Sequence, residues 1–319
     1  MDIYKQTTDN LRKLMEIPPD YHIFFLGSAT EAMERNIQNT VETHSFHLVN
    51  GAFSKRFFTI ASQLGKKAEI NESPDGRGVD VKSVKIPREA ECICVTQNET
   101  ATGVSIPISD ISVLKQKNPS SLVAMDAVSS APNVKVDFES ADLTFFSVQK
   151  LFGLPAGLGV LIVSPRAFEK SKFLFEKGAA IGSYHNFLIM EEYARKYQTP
   201  ETPNVLGIYL LGKICGDFLE KGIDVIRRET EEKAKILYEY FEGHAKYKPG
   251  VKHKKFRSLT TIVIDTQGET AKILPYFEEK GFVLSSGYGI FKESQIRIAN
   301  FPSISMENVE LLLRAFDGL

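Results

Sequence analysis

Lys150 ends the apolar run Leu143-Thr144-Phe145-Phe146-Ser147-Val148-Gln149 and opens onto the glycine-rich stretch 153–159. Asp126 ends an earlier apolar run, 121–125, in the same way. A lysine at the end of a buried strand is costly, because burial disfavours the ammonium and lowers its pKa. A neutral amine there suits carbonyl chemistry, and a Schiff-base lysine is one recognised outcome. A carboxylate set against a pyridinium nitrogen is the other half of a pyridoxal 5′-phosphate site. Each residue also has an ordinary reading. Lys150 could be a strand-end lysine reaching water, and Asp126 a turn or N-cap aspartate ahead of Ala127-Val128-Ser129-Ser130.

Further candidates follow other apolar runs. Gly27-Ser28-Ala29-Thr30 lies between a strand-like run and a helical one. Helix-terminal amides with hydroxyls nearby suit a phosphate dianion, as they also suit an ordinary capping turn. Phe53, after Asn50-Gly51-Ala52, could stack on a pyridine ring or fill the core. Asn98 and Thr100 offer polar contacts to such a ring and to Asp126, or simple turn chemistry.

The elements that would position these residues alternate between strand and helix. Residues 1–17 carry an amphipathic pattern with Leu11, Leu14, Met15 and Ile17 on one face, stopped by Pro18-Pro19. Strands are expected at 23–26, 46–49, 91–96, 121–125, 143–148 and 159–163, with helices at 31–42 and 53–64. Continuous apolar strands between helices predict an α/β fold with a mostly parallel sheet covered on both faces. Ligands of such sheets bind beyond the carboxyl ends of the strands. Ser28, Thr30, Asn98, Thr100, Asp126 and Lys150 would therefore meet at one rim. A Thr/Pro-rich stretch, 197–204, leads into a helical pattern from 206 to 241 that breaks near Gly222. Strands at 260–264 and 295–299, a helix at 269–280, and a final helix at 306–316 capped by Ser305 complete a smaller α+β unit. The boundary is expected near residue 218, giving a large domain over 1–218 and a small one over 219–319.

Composition limits the function. A formal net charge of −1 over 319 residues provides no basic field for nucleic acid or an anionic membrane. No apolar run approaches a membrane span, and the N-terminus lacks a signal-peptide layout. Cys92 and Cys94 point to one face of a strand and cannot chelate as a CxxC pair would, and Cys215 sits in a helical pattern. Buried thiols in a reducing, cytoplasmic setting fit these three cysteines, and no metal site is expected.

The joint order of these residues resembles the class V, fold-type I pyridoxal-phosphate aminotransferases, and within them the branch that acts on phosphoserine. The segments that carry the resemblance are Asn98-Glu99-Thr100, 125–130, 146–150 with 153–157, 198–203 and 296–300. It implies a homodimer that transaminates L-phosphoserine with 2-oxoglutarate, through Lys150 as the covalent lysine and Asp126 at the ring nitrogen. It places Gln149 and Thr100 on the ring-hydroxyl side and Phe53 in the stacking position, where the family usually has tryptophan. Ala29 and Thr30 match the phosphate turn. Gln198 and Thr199 match a pair that reaches the neighbouring subunit's cofactor phosphate, and Arg297 matches the arginine that grips the substrate α-carboxylate. A guanidinium fork suits that carboxylate.

Three departures accompany the resemblance. The family carries a segment with a His-Arg pair ahead of the first helix, and this chain begins after that point. Its phosphate turn often holds an arginine, where this chain has Ser28-Ala29-Thr30. No His-Arg pair precedes Arg297. The usual cations for a phosphorylated substrate are thus mostly absent, and Arg35, Lys55, Arg56, His185 and Lys292 are the candidate substitutes for them. An alanine- or serine-glyoxylate aminotransferase, and a cofactor-binding relic without turnover, are the alternative readings. A cysteine desulfurase would need a cysteine on a mobile loop, which the three cysteines do not offer.

Overall fold

A computed structural model describes all 319 residues. In chain order the strands are β1 (His22–Leu26), β2 (His44–Val49), β3 (Lys67–Glu72), β4 (Cys92–Thr96), β5 (Asn98–Glu99), β6 (Val104–Ser105), β7 (Leu122–Asp126), β8 (Leu143–Ser147), β9 (Gly159–Val163), β10 (Lys248–Pro249), β11 (Thr261–Asp265), β12 (Ser285–Ser286) and β13 (Gln295–Ala299). The helices are α1 (Asp2–Met15), α2 (Ala29–Thr40), α3 (Ala52–Gln63), α4 (Ile108–Lys117), α5 (Pro165–Glu176), α6 (Phe187–Ala194), α7 (Val205–Lys221), α8 (Ile223–Gly243), α9 (Thr270–Glu279) and α10 (Met306–Phe316).

Seven strands form one sheet in the order β1-β9-β8-β7-β4-β2-β3. β9 alone runs against its neighbours β1 and β8, and the remaining pairs are parallel. The strands read as unbroken apolar runs because both faces are covered. Ile23 and Phe25 pack with Leu11, Leu14 and Leu211 under α1 and α7. Phe24 and Leu26 point the other way, among Met33, Ile37 and Phe57 of α2 and α3. Each large side chain buried in this way contributes roughly 1.5–3 kcal/mol.

β3 was not foreseen from the sequence. Its pattern Lys67-Ala68-Glu69-Ile70-Asn71-Glu72 is polar because it forms the half-exposed edge of the sheet. Charged residues on an edge strand discourage pairing with another chain. α4, α5, α6 and the short strands β5, β6, β10 and β12 also lie outside the expected elements.

α1 ends where Glu16 takes a left-handed backbone, φ 56°, just ahead of Pro18-Pro19. The break expected near Gly222 separates α7 from α8, and Gly222 adopts φ 88° there. A second sheet, β10-β11-β13-β12, is antiparallel throughout. It packs with α8, α9 and α10 around its own core, which includes Leu237, Phe241, Ile262, Phe277, Ile296 and Phe316. Ser305 caps α10 in a capping box. Its hydroxyl accepts the Asn308 N–H at 3.1 Å, and the Asn308 carboxamide oxygen accepts the Ser305 N–H at 3.2 Å. No helix is long and apolar enough to cross a membrane.

Candidate active site

The carboxyl ends of β1, β2, β4, β7 and β8 converge on one rim, and a cavity of about 240 Å³ opens there. Its wall contains Ala29, Thr30, Phe53, Thr100, Asp126, Gln149 and Lys150 together. Residues as far apart in sequence as Ala29 and Lys150 thus meet because parallel strands deliver their ends to one edge. Ser28 and Asn98 share the same wall. Asn98 also donates to the Ser129 hydroxyl at 2.8 Å and to the Thr260 hydroxyl at 3.2 Å, which ties the cavity to the second sheet unit.

Asp126 is 3% exposed, and one of its carboxylate oxygens accepts the Val128 N–H at 2.9 Å. Burial lifts its pKa to about 7, and the nearby Glu99 carboxylate adds to the rise. The Val128 bond and the charge of Lys150 oppose it. Lys150 is shifted the opposite way. Burial first, and the positive charge of Arg297 second, lower its pKa, while Asp126 holds it up. The cavity therefore pairs an amine inclined to be neutral with an acid inclined to hold its proton. Two groups shifted toward each other in one cleft mark a functional site.

The candidate phosphate turn is built from the start of α2. The Ser28 hydroxyl oxygen accepts the Glu31 N–H at 3.1 Å, and the Ser147 hydroxyl oxygen accepts the Ala29 N–H at 2.9 Å. Both hydroxyls keep their protons free to donate. First-turn amides of a helix have no intrahelical acceptor, and Thr30, in the first turn of α2, lines the cavity. β9 presses against this turn from behind. A Cβ on Gly159 would lie 2.6 Å from the Ser28 carbonyl carbon, so only glycine permits the approach.

Phe53 is set by Glu99, whose importance the sequence did not reveal. The Glu99 carboxylate is fully buried at the start of α3 and accepts the N–H groups of Phe53 at 3.1 Å and Ser54 at 2.9 Å. It also accepts the Ala101 N–H at 3.1 Å and the Ser54 hydroxyl at 2.9 Å. Burial still raises its pKa against these four bonds. A Cβ on Gly51 would come within 2.5 Å of the Glu99 side chain, so glycine makes room for the cap. An acidic residue three positions after a strand end gives no sequence signal that it caps a helix nearly fifty residues earlier.

Arg297, on β13, is not in the cavity wall but stands close enough to act on Lys150. Its Nε donates to the Ser286 carbonyl at 2.9 Å, and its Nη1 lies 3.5 Å from the Thr100 carbonyl. The guanidinium sits 5.6 Å from the ring centroid of Tyr288, and Tyr288 lies 5.5 Å from Phe53. Tyr288 thus links the α-carboxylate candidate to the stacking candidate, a role that nothing in the local sequence suggested.

The structure does not bring Gln198 and Thr199 to this cavity. They line a separate cavity of about 540 Å³ with Tyr4, Tyr197, Val205 and Ile208. Among the candidate cations, Arg35 pairs with Glu34, and Lys55 lies 3.4 Å from Glu72. His185 is held between Glu31 and Glu201. Arg56 alone of the five enters the cavity wall. The cysteines are free and buried, with the Cys92 and Cys94 sulfurs 4.0 Å apart.

The arrangement fits pyridoxal phosphate by its own chemistry. One buried carboxylate, one half-buried amine, one aromatic ring and one helix N-terminus with free hydroxyls share a single cavity. The comparisons with known proteins point the same way. The model of the family Aminotransferase class-V matches residues 1–312. A phosphoserine aminotransferase of Rhodococcus opacus is 26% identical over 99% of this chain and 84% of its own length. One of Corynebacterium glutamicum is 29% identical over 97% of this chain and 82% of its own length. The crystal structure of a phosphoserine aminotransferase, SerC, from Cytophaga hutchinsonii superposes with a TM-score of 0.98 at 48% identity, covering 99% of this chain and 88% of that one. Cavity, sheet order and family match agree, and the chain belongs to the class V aminotransferases with the fold-type I architecture.

Proposed function

We propose that this enzyme is a pyridoxal-phosphate-dependent transaminase that exchanges the amino group of L-phosphoserine with 2-oxoglutarate, in serine biosynthesis. The observation that carries the chemistry is the pairing of Lys150 and Asp126 in one cavity, with their acidities shifted toward each other. The substrate assignment draws its support from the 48% identity and near-complete overlap with the Cytophaga protein. Structural neighbours among the glyoxylate aminotransferases share the fold at 20% identity or less.

Bound pyridoxal phosphate supplies an aldehyde for the amino group and a protonated ring that withdraws electrons from the substrate α-carbon. The chain's own residues do the rest. Lys150 would hold the cofactor through its aldehyde, and the same Nζ would take up the proton leaving the substrate α-carbon. Asp126 would hold its carboxylate at the ring nitrogen and favour the protonated form of that nitrogen. Phe53 would stack on the ring, and Thr100 and Gln149 would serve its hydroxyl side. Ala29 and Thr30 hold the phosphate with the first-turn amides of α2. Arg297 grips the substrate α-carboxylate.

The active unit is a homodimer, with Gln198 and Thr199 serving the neighbouring subunit's phosphate. Their placement in a cavity away from their own chain's Lys150 supports that division of labour. The chain divides near residue 218 into a cofactor domain and a small C-terminal domain. The separate core formed by residues 234–316 supports the division. The protein works in the cytoplasm, and its three free, buried cysteines suit a reducing compartment.

Coupled turnover of 3-phosphohydroxypyruvate with glutamate tests the substrate. Turnover with alanine or serine and glyoxylate, and none with the phosphorylated acid, would move the enzyme to a sister activity. A visible spectrum that fails to change on adding amino donor would leave only cofactor binding.

A further inference from the structure

The phosphate turn of this chain has hydroxyls and amides but no cation. A phosphate monoester carries close to two negative charges at neutral pH. The start of α2 offers the equivalent of about half a positive charge, together with hydrogen bonds. Of the fourteen residues in the cavity wall, only Lys150 and Arg56 are basic. Lys150 is committed to the cofactor aldehyde, and Asp126 is committed to the ring nitrogen. The phosphate therefore has one remaining cation within its own chain.

Position supports the same residue. Arg56 follows Phe53 by three positions on α3, so the two share a helix face. The start of α3 is fixed by three bonds to Glu99, from the Phe53 N–H, the Ser54 N–H and the Ser54 hydroxyl, which fixes the direction of that face. Ala29, Thr30 and Met33 of α2 line the same cavity. A ring stacked beneath Phe53 would thus direct its phosphate toward the gap between the start of α2 and Arg56. Arg56 forms no ion pair within the chain, unlike Arg35 and Lys55. The one carboxylate in the first turn of α2, Glu31, is already occupied. It accepts the Gly27 N–H at 2.9 Å and pairs with His185, so it does not compete for the guanidinium.

We propose that Arg56 is the phosphate-binding cation of the cofactor site, supplied from α3 in place of a cation on the α2 turn. The proposal rests on pyridoxal phosphate occupying this cavity. Its guanidinium presents two N–H groups to the phosphate oxygens, a geometry that lysine cannot reproduce.

The experiment compares pyridoxal 5′-phosphate with pyridoxal, which lacks only the phosphate. Dissociation constants are measured by cofactor absorbance and equilibrium dialysis for the wild-type protein, Arg56→Gln and Arg56→Lys. Arg56→Gln should weaken pyridoxal 5′-phosphate about 10- to 100-fold, the scale of one charge-assisted bidentate contact. Pyridoxal should bind both proteins equally, and Arg56→Lys should fall between. Inorganic phosphate should compete with pyridoxal 5′-phosphate less well in Arg56→Gln. An equal loss for both cofactors, or none for either, overturns the proposal. So does intact cofactor affinity with a raised KM for the phosphorylated substrate alone, which would assign Arg56 to the substrate. Borohydride reduction of wild-type protein loaded with either cofactor checks the underlying site separately. If Lys150 stays unlabelled there, the cofactor reading itself fails, whatever Arg56 does.

Discussion

At the scale of single residues, Asp126 and Lys150 carry opposite costs. A buried carboxyl with its pKa near 7 contributes stability that is fully present below its ordinary value of 3.8. That stability is lost as pH rises through about 7. The cofactor-free protein should therefore weaken between about pH 4 and pH 7. Asp126→Asn should abolish that loss and leave cofactor-free protein more stable at pH 8, by on the order of a few kcal/mol. The bound, protonated ring returns a positive charge to the carboxylate. Thermal melts at pH 8 should then show a larger cofactor-induced rise in Tm for the wild type than for Asp126→Asn. Equal rises would separate Asp126 from the ring nitrogen. Asp126→Ala should keep some cofactor yet lose about two to three orders of magnitude in turnover, the scale of removing one oriented electrostatic partner. Lys150→Ala should lose the borohydride-reducible bond altogether. Both residues were legible in the sequence because each ends an apolar run, where a charge has no ordinary reason to be. Arg56 was only one of five possible cations, since helical spacing alone does not tell which face of α3 meets the site. Packing against α2 decides that.

At the scale of elements, two helix starts hold the site and each depends on an acid, the buried Glu99 at α3 and the half-buried Glu31 at α2. Glu99 pairs the Phe53 and Ser54 N–H groups at the start of α3. Glu99→Ala would strand those N–H groups away from water, at about 2–4 kcal/mol. Glu99→Gln keeps one acceptor oxygen and should cost less. Denaturant titration measures the two losses, and similar costs for both would show that the cap contributes little. At α2, burial alone would lower the pKa of His185, but its bonds to Glu31 and Glu201 outweigh burial and raise it. Burial likewise works against the Glu31 carboxylate, and its bonds to His185 and the Gly27 N–H win and lower its pKa. The His185 contribution is fully present below the ordinary histidine value and fades as pH rises through its raised one. The Glu31 contribution fades only as pH falls through its lowered one. His185→Gln should cost about 1–3 kcal/mol near pH 6 and progressively less at alkaline pH. Neither role declared itself in the sequence, because Glu99 caps a helix nearly fifty residues earlier and His185, the partner of Glu31, is remote along the chain. The strands of the main sheet were legible because burial on two faces demands unbroken apolar runs. β3 was not, because an edge strand need not be apolar, and the reversed direction of β9 leaves no trace in a pattern of period two.

At the scale of the whole molecule, one chain holds every proposed cofactor contact except two. Gln198 and Thr199 lie beside Tyr197 and Val205, on a cavity away from their own Lys150. Met1 at 71% exposed and Leu206 at 66% leave apolar surface around that region. Such surface is what an isologous interface covers. If each site is completed by its neighbour, two broken chains can repair each other. Lys150→Ala removes the lysine but leaves an intact 198–199 pair. The double change Gln198→Ala, Thr199→Ala leaves the lysine but removes the pair. In a mixed dimer one site has both defects, and the other has the lysine of one chain and the intact pair of its neighbour. Random reassociation of equal amounts makes about half the dimers mixed, each with one sound site. Activity should then recover to about a quarter of wild type from two parents that are both severely impaired. Recovery needs subunit exchange, so the mixture is refolded together and compared with parents refolded apart and then combined. No recovery after co-refolding, with dimers present by sedimentation, would mean that the 198–199 pair serves its own chain. Recovery would also separate this defect from simple unfolding, because an unfolded chain cannot lend its loop.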